Sequence, residues 1–159
     1  MDTNGEQGVK GRKILFCTDF SENASSAFDL ALKAAERQPG TELILLHVIP
    51  EPDAQFWKGY IYEVGDMDAK ARKDIDDKIE SEYCPRVPAT VNFRVVLQIG
   101  DAARTILTLA TREKVDLIVM GRQGRGAIAQ WLMGNVTGRV VRKAECPVLV
   151  VPRSDSERS

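Results

Sequence analysis

Short runs of Ile, Leu and Val recur along this chain, separated by longer stretches in which apolar positions fall three or four residues apart. The runs at Lys13 to Cys17, Glu42 to Val48, Val91 to Gln98, Leu117 to Met120 and Val148 to Val151 have the length and β-branched content of strands. Strands that alternate with helical periods build βαβ units around a parallel sheet, so the pattern predicts an α/β fold. Most of the runs are nearly continuous in apolar character, as strands are when helices cover both faces of a sheet. Val91, Phe93, Val95 and Leu97 alternate with polar residues instead, which predicts that the third strand lies at an edge.

Between the first two strands, Ala24, Phe28, Ala31, Leu32 and Ala35 form one helical stripe, with Ser21 as its N-cap and Pro39-Gly40 as its stop. Asp66 to Glu82 reads as a strongly charged helix. The preceding stretch, Pro50 to Gly65, carries Phe56, Trp57, Tyr60 and Tyr62 without a period. Its aromatics either tuck a long connection onto the body, the favoured reading, or form a lid or partner surface. Asp101 is placed to cap a helix from Ala102 to Arg112, whose Ala103, Ile106, Leu107 and Ala110 share a face. A last helix is expected from about Asn135 to Lys143, ahead of Pro147. Residues 1–11 and 153–159 are polar and read as flexible tails on a single domain of residues 12–152.

A length of 159 residues with 43% apolar content suits one domain with its own core. The net charge of −1 carries no basic footprint for nucleic acid or an anionic membrane, so neither is expected as a partner and any anion site must be local. Cys17, Cys84 and Cys146 are odd in number and widely spaced, which argues against a disulfide framework or a zinc knuckle and for a reducing compartment. With no basic-then-apolar leader and no apolar run near the ~18 residues of a membrane span, a cytoplasmic location is expected.

The chemistry concentrates after the fourth strand, in Met120-Gly121-Arg122-Gln123-Gly124-Arg125-Gly126 and then Gly134-Asn135-Val136-Thr137. Glycines behind a strand let backbone approach a ligand, and a following helix start offers free amides and the positive end of its dipole to phosphate oxygens. After the first strand comes Cys17-Thr18-Asp19-Phe20-Ser21. Open parallel sheets bind ligands at the carboxyl ends of strands where the winding reverses. If strands one and four are neighbours, Asp19 faces the glycine loop across that crevice and reaches ribose hydroxyls or a base edge while the loop takes phosphates. The plainer alternative stays open on these residues alone: Gly121 and Gly124 as turn glycines, Asp19 as a cap, Arg122 and Arg125 as solvated surface. The loop has no P-loop Lys-Ser/Thr pair and does not follow the first strand, so neither standard nucleotide motif matches. His47, inside an apolar strand, reads as a satisfied strand residue, and Cys17 has no evident His partner. Asp116 precedes its strand and so lies at the wrong end of the sheet for a metal-holding carboxylate. No catalytic residue and no protein metal ligand is assigned.

Gly121, Gly124 and Gly134 match the G-x2-G-x9-G-(S/T) signature of the universal stress protein family, with Asn135 where Ser or Thr is usual. Thr18-Asp19-Phe20-Ser21-Glu22, Leu45-Leu46-His47-Val48, Asp116 to Gly121 and Cys146 to Val151 add to the match, and the chain resembles the family's nucleotide-binding branch over about Lys13 to Pro152. The resemblance implies a five-stranded parallel, Rossmann-like open sheet of order 3-2-1-4-5 with helices on both faces, and ATP in the crevice. It places Asp19 at the adenosine part, with Cys17 and Thr18 beside it, and Leu43 and Met120 near the adenine. Gly121, Gly124, Gly134, Asn135 and Val136 would hold ribose and phosphates, with Arg125 and Thr137 in the same set. Mg²⁺ or Mn²⁺ would be held through phosphate oxygens and water. Asn135 leaves ATP only modestly favoured over ADP or AMP. The resemblance also implies a homodimer through 148–151 and a nucleotide-dependent stress-response or signalling role, its client left open. A slow ATPase and a nucleotide-free dimeric interaction protein are the alternatives.

Overall fold

A computed structural model of the chain describes residues 11–50, 67–122 and 135–152. The first apolar run forms β1 (Lys13–Cys17), followed by α1 (Glu22–Arg37), β2 (Glu42–Pro50), α2 (Met67–Glu82) and a 3-10 turn at Cys84–Arg86. Then come β3 (Asn92–Gly100), α3 (Ala102–Glu113), β4 (Leu117–Gly121), α4 (Val136–Lys143) and β5 (Val148–Val151). The five strands make one parallel sheet of order β3-β2-β1-β4-β5, so β1 and β4 are neighbours and the winding reverses between β1 and its two flanking strands.

The helix ends follow from local chemistry. Ser21 Oγ accepts the Ala24 amide and starts α1, and Asp101 accepts the Arg104 amide and starts α3. After α1 the chain turns at Gly40, whose φ of +83° is left-handed and costs glycine nothing. α3 closes on Lys114 in the left-handed region, its amide bonded back to Ala110 and Thr111.

Strand periodicity divides the core into two. Ile14, Phe16, Leu43, Leu45 and Val119 point to the face covered by α1, where they meet Ala24, Ala27, Phe28 and Ala31. Leu15, Cys17, Ile44, Leu46, Ile118 and Met120 point to the other face, against Ala103, Ile106, Leu109 and Val140 of α3 and α4. β1, β2 and β4 are therefore buried on both sides, as their continuous apolar runs require.

The third strand is an edge, as its alternation predicts, but only partly as drawn. Phe93 and Leu97 do pack against the α1-side core, while Val95 is exposed, Val91 is buried just outside the strand, and Val96 packs against the opposite core. β2 and β3 each run two residues past the predicted ends, pairing in register through Pro50 and Gly100. The tails, the aromatic stretch 51–65 and the loop residues Gly124, Arg125 and Gly134 lie outside the described residues.

Candidate functional site

A parallel sheet sends every following helix back from the carboxyl ends of its strands, so the first turns of α1, α3 and α4 gather at one end of the molecule. Between them, at the β1/β4 reversal, lies a crevice. Its floor is Cys17, Leu46 and Met120 at the strand ends; Thr18, Asp19 and Gly121 form its rim. Ala102 and Ile106 of α3 and Val136 of α4 close one wall. The described slot is narrow, about 70 Å³, far below the ~300 Å³ and more of a complete small-ligand pocket.

Cys17, Thr18, Asp19, Met120, Gly121 and Val136, all assigned from the sequence, are brought together here. Leu43 is not. It pairs with Ile14 and Phe93 at the amino end of β2 and is fully buried on the α1 side of the sheet. The side-chain period of two puts Leu46 and Val48 into the crevice instead, and these are the β2 residues that reasoning from sequence missed. Counting back from the carboxyl end of the strand would have found them.

Gly121 proves to be a packing glycine. A Cβ there would lie 2.6 Å from the carbonyl carbon of Asn23 and 2.7 Å from the Ala24 amide. The missing side chain lets the first turn of α1 sit directly on the end of β4, and Asn23 Nδ2 donates to the Arg122 carbonyl to close the contact.

At the other rim, Asn135 caps α4, its Oδ1 accepting the Gly138 amide at 2.6 Å. The amides of Val136 and Thr137, the next two positions, have no acceptor inside a helix. Thr137 Oγ1 is buried and has no hydrogen-bond partner among the described residues. A buried hydroxyl and two first-turn amides suit phosphate oxygens, which accept only. Arg139, one turn on, forms a two-pronged pair with Asp101 at 2.9 and 3.0 Å, tying the first turns of α3 and α4 together. That pairing, with the Arg104 amide, holds the Asp101 carboxyl below the usual range.

Asp19 is exposed, and one of its oxygens accepts the Ser21 amide at 2.9 Å. Ser21 rather than Asp19 caps α1, and the turn contact of Asp19 is compatible with a ligand role, because a carboxylate keeps acceptor capacity on its second oxygen. His47 faces the other side of the sheet from the crevice, its Nδ1–H donating to the Thr18 carbonyl at 2.9 Å and its ring against Phe20. Burial pushes its pKa down. Burial also pushes the Cys17 thiol far up, so it stays protonated. Among the described residues no group of three His, Cys, Asp or Glu side chains could hold a metal ion.

A larger open groove, about 750 Å³, lies at the opposite end of the sheet, lined by Leu107, Thr111, Lys114, Lys143 and Cys146. It faces the carboxyl ends of α3 and α4, where the helix dipoles repel anions, so its size does not make it the phosphate site.

A family model of universal stress proteins matches residues 11–152. Universal stress protein MJ0577 of Methanocaldococcus jannaschii is 32% identical over 161 residues, covering 93% of this chain and 99% of that protein. A universal stress protein of Thermus aquaticus is 34% identical, covering 88% and 98%. The solved structure of MJ0577 matches with a TM-score of 0.70 at 31% identity over 93% of this chain and 100% of that one. One from Arabidopsis thaliana with AMP bound shares the fold, with a TM-score of 0.54 at 20% identity over 93% and 96%. The glycine spacing, the sheet order and these matches agree: the chain belongs to the universal stress protein family.

Proposed function

We propose that this protein binds ATP in the β1/β4 crevice and acts in the cytoplasm as a nucleotide-dependent stress-response or signalling module. The observation that carries the reading is the first turn of α4: Val136 lines the switch-point crevice together with the exposed Asp19, and next to it in the chain the buried Thr137 hydroxyl has no partner among the described residues. Asp19 takes the adenosine hydroxyls, Met120 and Val48 flank the base, and the start of α4 takes phosphate. Mg²⁺ or Mn²⁺ joins through the phosphates and water. Binding rather than turnover is favoured because His47 lies on the far side of the sheet and the Cys17 thiol stays protonated, which removes both as bases.

ATP at about 100 times its dissociation constant should add roughly 2.7 kcal/mol to the folded state. In a chain of this length that raises the melting temperature by about 5–11 °C. In Asp19→Ala, Ser21 still caps α1, and ATP, ADP and AMP should all weaken by similar factors because the lost contact is with their shared part. A loss confined to ATP would refute the role given to Asp19. No thermal shift with any adenine nucleotide would refute the proposal itself.

A further inference from the structure

Thr18 lines the crevice, yet the two side chains that hold it, His47 and Tyr83, come from the opposite side of the sheet. Its amide donates to the Leu46 carbonyl at 3.0 Å, and its carbonyl accepts from His47 Nδ1 at 2.9 Å. Its hydroxyl accepts the Phe20 amide at 2.9 Å and lies 2.6 Å from the Tyr83 hydroxyl. Phe20 stands at φ +62°, a left-handed conformation that a bulky aromatic residue rarely adopts. It is kept there by the Thr18 hydroxyl, by ring contact with His47 at 4.6 Å, and by Lys78 of α2 at 4.7 Å from its ring centre. Asp19 sits between these two restrained residues.

Tyr83 is also the firmest anchor of α2. Along residues 69–82 only Ile79 is buried, whereas Tyr83, next in the chain, is 1% exposed. Its ring packs on Phe28 at 4.8 Å and Phe16 at 5.6 Å, which leaves the hydroxyl one direction, toward Thr18. A phenylalanine would satisfy the same apolar cluster; the hydroxyl is the part that reaches Thr18.

We propose that Tyr83 is a positioning residue for the crevice: its bond to Thr18 fixes the β1–α1 turn that presents Asp19 and so couples the docking of α2 to nucleotide binding. The coupling rests on the nucleotide reading given above; the positioning of the turn does not. Coupling of this kind is reciprocal, so ligand in the crevice tightens the seating of α2.

The test compares wild type, Tyr83→Phe, Thr18→Val, the double variant, and Ile79→Val, which trims the core under α2 without touching the turn. ATP affinity by calorimetry should fall roughly tenfold in Tyr83→Phe and stay at the wild-type value in Ile79→Val, though both lower the melting temperature. The double variant should bind no more weakly than Thr18→Val, because each change removes the same bond. In the nucleotide-free protein, the Phe20 amide should exchange faster in Tyr83→Phe. Bound ATP should slow exchange at the Tyr83 amide, which donates to the Ile79 carbonyl, in wild type and in Ile79→Val but not in Tyr83→Phe. Wild-type affinity in Tyr83→Phe, or an equal loss in Ile79→Val, overturns the coupling. If wild type binds no adenine nucleotide, the function proposed above fails and the coupling with it. Phe20 exchange then decides the positioning role separately, and an unchanged rate overturns that too.

Discussion

Gly121 shows how one residue type serves two different ends. From the sequence it reads as part of a phosphate-binding loop or as a turn; in the structure its role is steric, with the α1 backbone occupying the place of a side chain. Gly121→Ala should therefore destabilise the fold by about 1–3 kcal/mol, as overpacking does. Denaturant unfolding measures this, and a midpoint equal to wild type would show that the α1 contact gives way easily. Leu43 and Val48 teach the complementary lesson. Both are apolar residues of one strand, and nothing in composition separates them, but parity and distance along β2 put one under α1 and the other in the crevice. Tyr83 gave no sequence signal beyond ending a charged helix, since the hydroxyl it meets is 65 residues away.

At the scale of elements, β5 is an edge with an unmet surface. It pairs with β4 on one side, is short and uncharged, and leaves Leu149 39% exposed. An exposed apolar edge of that kind calls for a cover, and pairing with β5 of a second copy would supply one. The Pro147 and Val151 carbonyls accept from Ile118 of β4 and from Arg122 just after it, so alternation turns the backbone groups of Leu149 toward β4 and the amides of Val148 and Val150 away from it. Val150→Pro would then remove an outward donor while sparing the β4 ladder. Sedimentation should show wild type as a dimer at micromolar concentration and this variant as a monomer; a monomeric wild type would end the proposal. Helices and strands were legible because caps and periodicity are local: Ser21 and Asp101 both cap where their spacing indicates. Strand ends were not, because β2 and β3 extend each other by pairing, which no local window contains.

For the whole molecule, the pH response separates by group. Unfolded histidine titrates near ~6.5, and burial holds His47 below that despite the Thr18 carbonyl and Asp19, while Lys78 lowers it further. The unfolded chain therefore binds a proton first, and stability falls as pH drops below about 6.5 toward the folded value. Asp101 and Glu113 are held below the usual carboxylate range by Arg139 and by Lys13 and Arg94, so what they contribute is lost only in more acid solution, below about pH 4. With one histidine in the chain, the slope just below about pH 6.5 belongs to His47. His47→Asn, whose amide can donate to the same carbonyl, should flatten it in denaturant titrations; an unchanged slope would assign it elsewhere. The sequence by itself determined the fold class, the capped helix starts, the edge character of the third strand and the family, because each depends on residues close together in the chain or on a spaced motif. Only the tertiary structure decided which strand residues enter the crevice, why Gly121 is glycine, and that Thr18 is held by Tyr83 and His47. Those depend on parity, register and contacts between distant segments, which exist only once the sheet has formed.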